Sequence, residues 1–93
     1  MKKKIYCYEN RTFEVKVYNE IAGYILGIYV REVIHPNRKF FGRTKYFCFN
    51  HVSLDDYASI DDAARETIAD GVKQEVRDKG VEKKWEEWGK EID

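Results

Sequence analysis

The sequence predicts an α+β fold: a small antiparallel sheet of three or four strands, arranged as a meander, with a C-terminal helix packed on one face. Three observations predict it. In the first half, apolar and polar residues alternate with a period of two, as in Phe13, Val15 and Val17 against Thr12, Glu14 and Lys16. From Ile60 onward the apolar residues Ala64, Ile68, Val72 and Val76 recur every fourth position, which is a helical stripe. Charge also changes sign between the halves. Residues 1–50 carry ten Lys/Arg against four Asp/Glu, leaving +6, and residues 51–93 carry seven against thirteen, leaving −6.

Residues 4–8 and 12–18 read as a first hairpin, with a turn near Glu9-Asn10-Arg11 in which Asn10 best tolerates a left-handed conformation. Asn19 to Gly23 is a second turn signal. Residues 24–34 form the strongest strand, apolar on both faces until Arg31. Such a strand belongs in mid-sheet, with cover on one face and aromatics on the other. Gly27 within it marks a bulge or a close backbone approach. His35-Pro36-Asn37 ends the strand. The last strand, 43–50, is expected to put Phe47 and Phe49 on one face and Tyr46 and Cys48 on the other.

Ser59-Ile60-Asp61-Asp62 resembles a capping box with Asp at its acidic position, and the acidic first turn suits the helix dipole. Gly71 sits inside the apolar stripe. It costs about 1 kcal/mol against Ala there, so a large aromatic on the sheet is expected close to its backbone. Asp78-Lys79-Gly80 reads as a helix stop. Beyond it, Val81, Trp85, Trp88 and Ile92 are spaced four, three and four, forming a second helical face. On one straight helix this face lies about 135° from the first stripe at 100° per residue. The two cannot share one sheet. Either the chain bends at Gly80 and the tryptophans cover the sheet, or the helix runs on and they face a second copy.

The chain reads as one domain, 1–93, with a sheet half at 1–50 and a helical half at 59–92 that has a candidate break at Gly80. Its apolar runs fall short of the roughly 18 residues of a membrane span, and Ile5-Tyr6-Cys7-Tyr8 is too short for a signal-peptide core. A cytoplasmic protein is expected, with Cys7 and Cys48 as reduced thiols. Cys7, His35, Cys48 and His51 are scattered rather than paired as structural zinc requires. Asp55, Asp56, Asp61 and Asp62 are explained by a turn and a helix cap. No metal site, cofactor or catalytic group is expected.

Two binding candidates remain. The first is the segment 35–45, in which Arg38, Lys39, Arg43 and Lys45 interleave with Phe40 and Phe41. Cations pair with phosphates and aromatic faces stack on unpaired bases, so Arg38, Lys39, Phe40, Arg43 and Lys45 are candidate nucleic-acid-binding residues. In element order, a small sheet followed by one helix, the chain resembles the sheet-reading DNA-binding domains of some integrases and plant transcription factors. Gly23-Tyr24 and Ser59-Ile60-Asp61-Asp62-Ala63 resemble strand and helix starts of antitoxin-type small proteins, although the Pro-rich strand exit of that family is replaced here by the basic segment.

The second candidate is the face Val81, Trp85, Trp88 and Ile92, since tryptophan is enriched at interface hot spots. The expected function is a small non-catalytic binding or accessory module. Its partner would be another protein or a second copy (a homodimer), engaged through the tryptophan face. The alternative is a nucleic-acid-binding module that uses the basic segment.

Overall fold

A computed structural model describes residues 2–19, 25–34 and 43–92, the last three of them as helix backbone only. Four strands, β1 (Lys2–Tyr8), β2 (Arg11–Asn19), β3 (Ile25–Ile34) and β4 (Arg43–Ser53), are followed by a short 3-10 turn, Leu54–Asp56, and one helix, α1 (Ile60–Ile92). The strands pair antiparallel in chain order, β1-β2-β3-β4, because each connection is too short for a crossover. This is the expected α+β meander with a C-terminal helix.

Local chemistry accounts for the element ends. Glu9 and Asn10 both take positive φ, 48° and 65°, as a two-residue hairpin turn with the right twist requires. The Ser59 hydroxyl accepts a 3.1 Å hydrogen bond from the Asp62 backbone N–H and so caps one of the unpaired amides of the first helical turn.

Alternation gives the sheet one covered face. Tyr6, Phe13, Val15, Leu26, Ile28, Val30 and Val52 point from it toward Ala63, Ala64 and Ile68 of α1, and all are buried. The alanines let the helix lie close, and Phe13, Ile28 and Ile68 are the largest fully buried side chains. Each large apolar side chain buried this way contributes roughly 1.5–3 kcal/mol. Thr67, buried with them, donates its hydroxyl to the Ala63 carbonyl at 2.8 Å.

β4 departs from simple alternation. Its register against β3 shifts between Val30 and Arg31, which oppose Cys48 and Tyr46 respectively. Phe47 is therefore the extra residue of a β-bulge. The expectation that Phe47 and Phe49 share a face is overturned. The bulge turns Phe47 and Cys48 together toward the helix and leaves Tyr46 and Phe49 on the open face. Gly27, by contrast, lies in regular pairing between Tyr18 and His51. The Gly71 expectation holds: a β-carbon there would lie 2.6 Å from Phe47 Cε2 and 2.9 Å from Cys48 Sγ.

The helix is fixed to the sheet at two points. Near its start, Asp61 accepts hydrogen bonds from the Tyr6 hydroxyl and, at 3.0 Å, from Lys4 Nζ. Four turns later, Arg11 donates to Glu32 of β3 at 2.8 Å and to Glu75 of α1 at 2.9 and 3.1 Å. The same guanidinium lies over the rings of Phe13 and Phe47, 5.4 and 5.2 Å from their centroids.

The helix does not stop at Gly80. It runs unbroken from Ile60 to Ile92, and the expected stop at Asp78-Lys79-Gly80 is corrected. One glycine costs about 1 kcal/mol, and the Lys- and Glu-rich flanks favour helix at nearly every other position. Gln74 also donates to Asp78 at 2.9 Å, one turn on.

Candidate functional site

Two surfaces stand out, one on the helix and one on the sheet. Past Glu75 every described side chain of α1 is exposed. At 1.5 Å per residue, the stretch from Val76 runs roughly 25 Å past the Arg11–Glu75 ion pair. Val81 is 67% exposed, Trp85 69% and Trp88 55%. The two indoles stack on each other, with centroids 5.4 Å apart and planes 28° from parallel. The wheel argument explains this placement: a straight helix that docks by Ile68 must turn the tryptophan face away from the sheet. The structure brings Val81, Trp85 and Trp88 together. The side chain of Ile92 lies outside the described residues.

The basic segment is less coherent. Arg38, Lys39 and Phe40 lie outside the described residues. Arg43 and Lys45 oppose Ile34 and Glu32 in the β3–β4 register, on the same side of the sheet as the helix. Lys45 lines a groove of about 320 Å³ between β4 and α1, together with Glu32, Phe47, Gly71, Glu75 and Glu82. Its charge is set among carboxylates of its own chain. Hydrogen bonds from Arg11 hold the Glu32 and Glu75 carboxyls below their ordinary range, and Lys45 adds to the effect in both.

Cys48 does not have the surroundings of a nucleophile. Cys48 and His51 point to opposite faces of β4. Burial, followed by the nearby Asp70 charge, pushes the Cys48 thiol up to about 11, away from the reactive thiolate. Cys7 is exposed on β1. Among the described residues, no group of three or more His, Cys, Asp or Glu is placed to hold a metal ion. Nor is any described helix long and apolar enough to cross a membrane.

The second surface is the open face of the sheet, and it is aromatic. Tyr29 of β3 lies 5.5 Å from Tyr46 and 6.2 Å from Phe49, centroid to centroid. Phe49 meets the His51 ring edge-on at 4.7 Å. Tyr46 is 54% exposed and Phe49 42%. Cations flank the rings. The Arg31 guanidinium is 5.9 Å from the Tyr29 centroid, and its Nη2 donates to the Thr44 carbonyl at 3.5 Å. Its buried Nε has no protein acceptor among the described residues. On β1 and β2, Lys3 and Lys16 share the single carboxylate of Glu14, at 4.0 and 3.8 Å.

Sequence reasoning placed aromatics on the far side of the 24–34 strand but missed Phe49 as a member of that cluster. The signal was hidden because the bulge at Phe47 shifts the phase of β4 by one residue.

No protein-family model, curated protein or solved structure matches the chain.

Proposed function

We propose that the chain is a small non-catalytic binding module of the cytoplasm that self-associates through the exposed end of its helix. One observation carries the reading: α1 continues unbroken past the sheet and presents Trp85, Trp88 and Val81 to solvent. An apolar ridge of this size on a soluble domain is an association site. Four tryptophans from two copies, 69% and 55% exposed in each, supply up to about 500 Å² of buried surface, at roughly 200 Å² for a whole side chain. Val81 and the flanking methylenes extend this toward the range of about 1,200–2,000 Å² typical of specific interfaces.

Charge selects the occupant and its direction. Residues 73–84 carry five cations against three carboxylates, leaving +2. Residues 85–93 carry one cation, Lys90, against four carboxylates, leaving −3. An antiparallel second copy lays the basic stretch of each helix along the acidic stretch of the other, whereas a parallel copy sets like against like. In the antiparallel register Trp85 meets Trp88 of the second copy at the centre. Position 84, a lysine, then flanks the seam opposite position 91, a glutamate.

Sedimentation of the wild type beside the Trp85→Ala, Trp88→Ala variant tests this. The wild type is expected to show a concentration-dependent dimer, and the variant a monomer with unchanged far-UV circular dichroism. A wild type that stays monomeric at high concentration would overturn the reading.

A further inference from the structure

We infer that the open face of the sheet, centred on Tyr29, Tyr46 and Phe49, binds single-stranded nucleic acid. Three features of this face support the assignment.

First, three aromatic rings cluster at its centre, with the aliphatic Ile5 and Val33 to either side. Three neighbouring aromatics on β3 and β4, with centroids 5.5 and 6.2 Å apart, offer flat π surfaces on a rigid support. Unpaired bases stack on such rings whatever their sequence, and a small sheet of this kind takes two or three bases. A duplex keeps its base faces inside the stack and cannot use them.

Second, the ionic groups on the same face are cationic. Lys3, Lys16 and Arg31 stand against one carboxylate, Glu14. Arg31 is the best placed. It lies beside the Tyr29 ring, and a guanidinium at the rim of a ring cluster fits a phosphate passing from one stacked base to the next.

Third, the described charged groups of this face sum to +2, Lys3, Lys16 and Arg31 against Glu14, and a polyanion complements it. A second copy does not, since pairing this face with itself would set Arg31 and the two lysines against their own likenesses. This site is separate from the tryptophan surface on α1 and does not depend on self-association.

Fluorescence anisotropy decides it, using a labelled ten-nucleotide deoxythymidine strand, a matching uridine strand and a hairpin duplex, at about 50 mM salt. The wild type is expected to bind both single strands and to bind the duplex more weakly. Tyr46→Ala and Phe49→Ala each weaken binding roughly fivefold to a hundredfold, the loss of one stacked base, while Tyr46→Phe keeps it. Arg31→Ala lowers the slope of log affinity against log salt by about 0.7, one single-strand phosphate contact. Both rings are substantially exposed, so the alanine variants should fold, and circular dichroism checks this. The inference fails if the wild type leaves single strands unbound, if the ring variants bind as the wild type does, or if the duplex binds as tightly as the strands. It also fails if the ring variants lose self-association and keep oligonucleotide binding, which would make this face a contact between copies.

Discussion

The two halves of α1 are one continuous helix in two environments. From Ile60 to Glu75 it is held by Ala63, Ala64, Thr67 and Ile68 against the sheet and fixed at Asp61 and Glu75. From Val76 on, its described side chains are in solvent. The same secondary structure therefore has two origins. The docked half is helical because it buries a stripe. The projecting half is helical because its residues favour helix and it continues a helix already formed. Substitutions should act on stability in the first half and on association in the second.

The largest expected contrast is between Ile68→Ala and Val81→Ala. The first opens a cavity at a fully buried position and should cost about 2–5 kcal/mol. The second removes an exposed side chain, and the folded monomer should change by less than about 0.5 kcal/mol. Urea unfolding at low protein concentration compares them. An equal loss at both sites would show that the projecting half packs on its own domain in solution.

A subtler contrast uses two glycines. A β-carbon at Gly80 meets nothing within 4 Å, so Gly80→Ala should raise stability by up to about 1 kcal/mol. At Gly71 the same propensity gain is available, but the methyl would press on Phe47 and Cys48. The Phe47 ring is confined by Phe13, 4.9 Å away, and by the Arg11 guanidinium. Overpacking of this kind costs about 1–3 kcal/mol, so Gly71→Ala should lower the thermal midpoint while Gly80→Ala raises it. A rise in both would mean that the helix shifts freely on the sheet.

The smallest effect is on pH dependence. Arg11 depresses Glu32 and Glu75, and hydrogen bonds from Tyr6 and then Lys4 depress Asp61. For groups whose folded value lies below the unfolded one, the stabilising contribution is present above the ordinary carboxylate value and is lost as pH falls through the folded value. The loss due to Glu32 and Glu75 should therefore begin below their ordinary 4.5. At the other end, burial and then Asp61 push the Tyr6 hydroxyl up from 10.0 to about 12. Its contribution is present below pH 10.0 and disappears across that interval. Denaturant titrations of wild type and Arg11→Met should diverge at neutral pH and converge in acid. A constant gap between them would show that the arginine acts by packing on Phe13 and Phe47 alone.

Most of the sheet and the docked stripe were legible in the sequence, because period two and period four each have one physical cause. Phe13, Val15, Leu26, Ile28 and Ile68 alternate or repeat as burial demands and are buried, whereas Val17 and Val72 are only partly buried and Val76, at the end of the stripe, is exposed. Two features were not legible, for different reasons. The bulge at Phe47 changes the phase of a strand without altering its composition, and only the position of Gly71 on the facing helix hinted at a ring brought close. The Gly80 stop rested on a local signal, and the summed preference of its neighbours outweighed it. The charge split did not identify which cations share a surface: Lys45 falls on the helix side of the sheet, while Arg31 falls beside the open-face rings.

The continuity of α1 through Gly80 also bears on how the projecting half forms. An isolated segment of its length would be marginal in water, because starting a helix is penalised by a factor of about a thousand, or roughly 4 kcal/mol. Here the start has already been made against the sheet, and each residue beyond Glu75 adds only a propagation step. The tryptophans are thus carried on a backbone that is ordered before any encounter. Little conformational freedom remains to be lost on contact, and a partner meets a preformed ridge.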